Sequence, residues 1–247
     1  MRRSGILLHI SSLPSPWGIG TLGLEAYKFI DFLEASKIGV WQMLPTGPTG
    51  YGDSPYQGFS AFAGNPYFID LDMLCEDGLL KPYEYINLNW GDSLEKVDYH
   101  MLYEHRFGVL HAAYERFIGV CGRDFDDFKQ NNPGWLSDYS LFMALKGLYK
   151  GAPWYDWEEN VKNRVPSAIK KLGEKLAYEI GFHEFTQYIY SRQWRKLKLY
   201  AKAHDVMLMG DMPIYAALDS ADVWANAGLF LLDDCLLYTS DAADEAR

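Results

Sequence analysis

A strand-helix-strand pattern at the start of the chain limits its fold more than any other feature. Ser4 to Ser12, SGILLHISS, is an apolar run followed by Leu-Pro-Ser-Pro and reads as a buried strand leading into a loop at its C-terminal end. After the turn at Gly18 to Gly20, Leu22, Ala26, Phe29, Ile30 and Leu33 recur at helical spacing, and Gly39 is placed to end that helix. Val40 to Leu44, VWQML, is a second strand, stopped by Pro45. A helix between two strands makes the connection a crossover, so a parallel pair with a right-handed connection is the expected packing.

Tyr67 to Leu71 reads as a further short strand. From about Leu79 to Gly181 the sequence turns helical and polar, with Leu141, Leu145 and Leu148 on one face, and reads as an inserted subdomain. Tyr190, Trp194, Leu197 and Ala201 then restore a helical stripe, and Val206 to Met209, VMLM, is a buried strand ending at Gly210-Asp211. Units of this kind build a barrel or an open parallel sheet, and both bind ligands at the C-terminal ends of their strands.

That rule draws attention to Asp211, whose carboxylate falls at the rim of the sheet; the competing reading is a cap on the next segment or a partner for a nearby Lys or Arg. It also draws attention to Gly47 to Gln57, GPTGYGDSPYQ. Its three glycines and two prolines allow a rigid loop without regular hydrogen bonding. Such a loop can present Tyr51 and Tyr56 as flat platforms with hydroxyl handles, suited to sugar rings, or can simply pack them. No Gly-Lys-Ser or Gly-Lys-Thr follows, so it is not a phosphate-binding loop of that type.

Composition narrows the ligand. A net charge of -10 disfavours nucleic acid and anionic membrane surfaces, whereas 18 Tyr and 8 Trp suit flat neutral ligands or an aromatic-rich core. Cys75, Cys121 and Cys235 form no CxxC pair, and His100, His105, His111, His183 and His204 make no metal set. His9 is expected to be a hydrogen-bonded core imidazole. The apolar run at the start is too short for a signal sequence and nothing approaches a membrane span, so a cytoplasmic protein is expected.

Four stretches, RRSGILLHISSLPSPWGIGTLG, WQMLPTGPTGYGDSPYQGFSAFAGNPYFIDL, WLSDYSLFMALKGLYKGAPWYDW and GDMPIYAALDSADVWAN, resemble consecutive blocks of the bacterial 4-alpha-glucanotransferases, also called amylomaltases or disproportionating enzymes. The resemblance runs from Arg2 to about Asp234. It implies an α/β fold: the incomplete N-terminal part of a (β/α)8 TIM barrel, about three of eight strands, with an inserted mainly helical subdomain. The division it suggests is 1–78 for the first two βα units and the aromatic loop, 79–181 for the insert, and 182–234 for the third strand region. Past Asp234, CLLYTSDAADEAR resembles nothing in the family, and 235–247 reads as a non-native tail.

The activity implied is transfer of α-1,4-glucan segments between malto-oligosaccharides by a retaining double displacement, with no cofactor or metal. Tyr56 resembles the tyrosine that stacks on the sugar next to the scissile bond, with Ser54 beside it; Asp211 resembles the aspartate that binds that sugar's hydroxyls; Tyr51 resembles a tyrosine at a more distant glucan site. The family's nucleophile, acid/base and His-Asp pair follow its fourth, fifth and seventh strands, so no catalytic residue is assigned in this chain. It is expected to hold part of the donor site without transferase activity, the alternatives being a non-catalytic glucan-binding fragment or an unstable truncated product.

Overall fold

The computed structural model describes residues 3–50, 52–93 and 95–232. The chain begins with β1 (Gly5–Leu7), α1 (Leu24–Ala35) and β2 (Val40–Gln42). A short helix α2 (Leu71–Glu76) follows, then α3 (Tyr99–Ile118), α4 (Arg123–Asn131), α5 (Trp135–Leu148), α6 (Glu159–Lys162) and α7 (Pro166–Lys175). The long helix α8 (Ala177–Ala203) leads into β3 (Met207–Met209), and α9 (Ala221–Ala225) lies beyond it. The expected end of the insert, between residues 181 and 182, falls inside α8. The expected tail, 235–247, lies outside the described residues.

The strands pair in parallel in the order β1-β2-β3, with Ile6, Trp41 and Leu208 in one row across the sheet. That row packs against the helices: Trp41 is fully buried, its indole donates to the Leu8 carbonyl at 2.7 Å, and Phe29 of α1 meets it edge-on at 4.8 Å. Because side chains alternate along a strand, the neighbouring rows face the other way. Leu7, Met207 and Met209 are exposed there, and β1 and β3 each keep an edge without a strand partner among the described residues. The strands read as buried are therefore buried on one face only. Helix α1 also ends earlier than its glycine suggests: the left-handed residue is Lys37, at φ 58, and Ile38 N–H closes back on the Leu33 carbonyl at 2.8 Å.

Residues 64–70 correct the reading of Tyr67 to Leu71 as a strand. They form a 3-10 turn (Pro66–Phe68) and the entry to α2, which Asp70 caps by accepting the Met73 N–H at 2.9 Å. Pro66 has no N–H to give a ladder, and the backbone groups find other partners. Gln187 of α8 pairs with both backbone groups of Gly64, at 2.7 and 2.9 Å, and Gln193 does the same for Asp70 at 2.8 and 3.1 Å. Between them the buried Arg106 of α3 donates one guanidinium nitrogen to the carbonyls of Tyr67 and Ile69, and Leu22 N–H reaches the Phe68 carbonyl at 2.9 Å. Burial of the cation with only carbonyl partners lowers the Arg106 pKa to about 10.

Asp70 has a further role. Gly18 to Gly23, GIGTLG, shows the G-x-G-x-x-G spacing that cradles a pyrophosphate in dinucleotide folds. Here the Asp70 carboxylate fills that space: a Cβ on Gly23 would lie 1.9 Å from its Oδ2, which accepts the Thr21 hydroxyl at 2.6 Å. A carboxylate at that point repels phosphate, so the glycine serves close packing. His9 also differs from expectation: it is half-buried, edge-on to Phe68 at 5.3 Å, and its Nδ1 has no partner. Burial lowers its pKa to about 4.

Candidate functional site

The loop after β2 closes on itself before it reaches the site. Thr49 and Gly58 form an antiparallel bridge, Gly50 N–H donates to the Gln57 carbonyl at 2.8 Å, and Phe59 N–H to the Pro48 carbonyl at 2.9 Å. At the tip Gly52 and Asp53 take positive φ, 86 and 54, and Gly52 is the residue that adopts it without strain. The Asp53 carboxylate accepts hydrogen bonds from Thr49 and from Tyr103 of α3, tying the tip to the helical region. The stiffness expected from the Gly/Pro content thus has a hydrogen-bonded cause.

Tyr56 and Asp211, 155 positions apart, meet directly: the phenol donates to Oδ2 at 2.7 Å. Parallel pairing of β2 and β3 brings the loops that follow them side by side, which is why the two segments converge. The hydrogen bond to Asp211 raises the Tyr56 pKa, so the hydroxyl remains a donor at neutral pH. Asp211 also accepts the Met212 N–H at 2.9 Å through Oδ1, so part of the capping alternative is realised, while no Lys or Arg pairs with it among the described residues. Ser54 accepts the Tyr56 N–H at 3.4 Å and its carbonyl takes the Gln57 N–H at 3.1 Å, so it shapes the turn beneath Tyr56. Tyr51 lies outside the described residues.

Tyr56 and Asp211 line a cleft of about 600 Å³, within the roughly 300–1,000 Å³ of small-molecule sites. Its floor is fixed by Tyr190, whose hydroxyl donates to Thr46 at 2.9 Å. One wall is the segment after β3, held by Asp222, which accepts from the Ser60 hydroxyl at 3.0 Å and the Ala61 N–H at 2.7 Å. That wall is anchored behind by the Lys146–Asp219 pair at 2.6 Å and by Trp224, whose indole donates to the Val161 carbonyl at 3.2 Å. Phe62, Trp135, Trp194 and Asn132 line the cleft as well. Sequence reasoning placed none of these four at a site, and Trp194 reads there as part of an apolar helical stripe.

Among the described residues, no group of three or more His, Cys, Asp and Glu side chains could hold a metal ion, and no helix is long and apolar enough to cross a membrane. An Asp222→Ala change removes both bonds that hold Ser60 and Ala61 to the wall and is expected to destabilise the protein by about 2 kcal/mol, measured by chemical denaturation.

Known proteins resemble this chain in sequence and in fold. The profile of the 4-alpha-glucanotransferase family matches residues 8–242. The chain is 46% identical over 226 residues to the 4-alpha-glucanotransferase of Clostridium butyricum, covering 92% of this chain and 46% of that protein. It is 45% identical over 238 residues to that of Thermus thermophilus, covering 94% and 46%. Among solved structures, amylomaltase from Streptococcus agalactiae in complex with acarbose superposes with a TM-score of 0.92 at 41% identity, over 95% of this chain and 48% of that one. The chain therefore spans about half the length of the curated relatives it matches. With the profile covering nearly all of its residues, the chain belongs to the 4-alpha-glucanotransferase family.

Proposed function

We infer that the cleft grips α-1,4-glucan for a 4-alpha-glucanotransferase, which moves glucan segments between malto-oligosaccharides by a retaining double displacement. The observation that carries this reading is the Tyr56–Asp211 hydrogen bond at the cleft: an exposed ring offers a stacking face beside a carboxylate able to accept sugar hydroxyls. Ser54 supports the platform from below, and Tyr51 is the candidate for a more distant glucan contact. The three-stranded parallel sheet is proposed as part of a (β/α)8 barrel, about three of its eight strands, with its exposed row of Leu7, Met207 and Met209 facing the barrel interior. The division into 1–78, 79–181 and 182–234 and a cytoplasmic location belong to the same proposal.

Of the two carboxylates lining the cleft among the described residues, Asp211 is engaged by Tyr56 and Asp222 by the Ser60–Ala61 turn. Both are committed to hydrogen bonds within the protein, and the chain itself is expected to bind glucan without transferring it. Purified protein should release no glucose from maltotriose. Calorimetry should show binding of maltoheptaose, weakened roughly tenfold by Tyr56→Ala through loss of the ring face and the hydroxyl. Equal heats from wild type and Tyr56→Ala would refute the assignment of this cleft.

A further inference from the structure

Lys146 of α5 is a charged side chain in the core: only 7% of it is exposed. Burying an ammonium is costly unless its protons find acceptors. All three do: the carbonyls of Gly151 and Ala152, at 2.8 and 3.1 Å, and Asp219 Oδ2 at 2.6 Å. The same ammonium lies 5.2 Å from the centroid of the Phe59 ring and 6.0 Å from that of Phe142. One buried cation therefore joins the turn after α5, the loop after β2 at Phe59 and the segment after β3 at Asp219. The last two also meet directly, since Ala221 N–H donates to the Phe59 carbonyl at 2.8 Å. An apolar side chain in the place of Lys146 would fill the space without the desolvation cost, so the charge is better explained by what it holds in place.

Those two segments carry the pair that faces the cleft: Tyr56 precedes Phe59 in the loop after β2, and Asp211 opens the segment that runs to Asp219. Along that segment the side chains of Met212, Ile214 and Tyr215 are exposed and contribute little packing, so its course is set chiefly at its two ends. We propose that Lys146 is a positioning residue for glucan binding: its ammonium fixes the loops after β2 and β3 relative to each other and so holds the Tyr56–Asp211 pair in the geometry that grips the sugar. The proposal rests on the reading of the cleft as a glucan site. Lys146 does not line the cleft; it acts through Asp219 and Phe59.

Tyrosine ring-carbon NMR and calorimetry on the full 247-residue chain test this. Tyr56→Phe identifies the Tyr56 Cζ resonance at neutral pH, and Asp211→Ala gives its position without the hydrogen bond. In Lys146→Met that resonance is expected to move toward the Asp211→Ala position. Maltoheptaose affinity should fall about fivefold, measured at a temperature where circular dichroism shows the variant folded. A residue that only stabilises the fold would move neither readout. Asp219→Asn keeps an acceptor for the Trp154 N–H, bonded at 3.2 Å, but removes the charge facing Lys146, and should shift both readouts in the same direction. It carries the test if Lys146→Met does not fold. An unmoved resonance or an unchanged affinity in the folded variant would overturn the role of Lys146. Failure of wild type to bind maltoheptaose would overturn the glucan reading, while the resonance still decides whether Lys146 sets the pair.

Discussion

Gly64→Ala is expected to destabilise the protein by about 3–5 kcal/mol, the sum of overpacking and lost buried hydrogen bonds. A Cβ at this position would lie 2.1 Å from the Tyr190 ring. Tyr190 cannot swing away cheaply, because it is buried and its hydroxyl is bonded to Thr46 at 2.9 Å. Nor can the backbone retreat: both polar groups of Gly64 are paired with Gln187, and moving them leaves a buried amide and a buried side chain unsatisfied. Gly108→Ala supplies the contrast, since it lies inside α3 with nothing within 4 Å of its added methyl. That change should stabilise by about 1 kcal/mol through helix propensity. Urea denaturation of the two variants reads both effects. An unchanged midpoint for Gly64→Ala would show that the Gln187 clamp is not the constraint described here.

The same clamp explains which parts of the fold were legible in the sequence. The order of β1, α1 and β2 follows from apolar periodicity, a local property, and so does the existence of α8. Residues 64–70 depend on Arg106, Gln187 and Gln193, polar side chains that arrive from distant helices and bury themselves against the backbone. In a periodicity scan such residues read as solvent-facing, and the segment they hold reads as a strand because its apolar content is high. Burial of β1 and β3 was overestimated for a related reason. An apolar run says that a strand has faces to cover, whereas the register of Leu7, Met207 and Met209 shows which face lacks a cover among the described residues.

The site divides along the same line. Tyr56 and Asp211 stood out because each follows a strand, one in a loop stiffened by Gly and Pro and one after VMLM; that they touch required the adjacency of β2 and β3. The resemblance to the family carried their roles further than chemistry alone. Phe62 lay inside a stretch quoted only for its family resemblance, and its pairing with Trp135 depends on how the insert packs over the loop, which no local pattern reports. Asp222 was not singled out in the sequence. In the structure it joins the wall after β3 to the loop after β2.

Acid should unfold the protein earlier than its carboxylates require, and His183 should be a main cause. It sits on α8 within the core, with Tyr139 of α5 edge-on at 6.5 Å, and its Nδ1 has no partner. Burial, with a smaller contribution from His111, lowers its pKa to about 3. In the unfolded chain the ring takes a proton near pH 6.5, whereas in the folded protein it stays neutral. Between those limits the unfolded state binds more protons, so stability is intact above about pH 6.5 and declines as pH falls toward about 3. At pH 5 the loss from this group is about 2 kcal/mol, at 1.36 kcal/mol per unit. His111, whose pKa burial also lowers, adds in the same sense; Glu184, whose pKa burial raises, opposes it. Comparison with His183→Phe isolates the term, because the neighbours titrate in both proteins and Phe retains an edge-on ring for Tyr139. Wild type should lose about 2 kcal/mol more than the variant between pH 7 and pH 5 in urea denaturation. Parallel losses in the two proteins would mean that the buried imidazole finds a partner able to hold its proton.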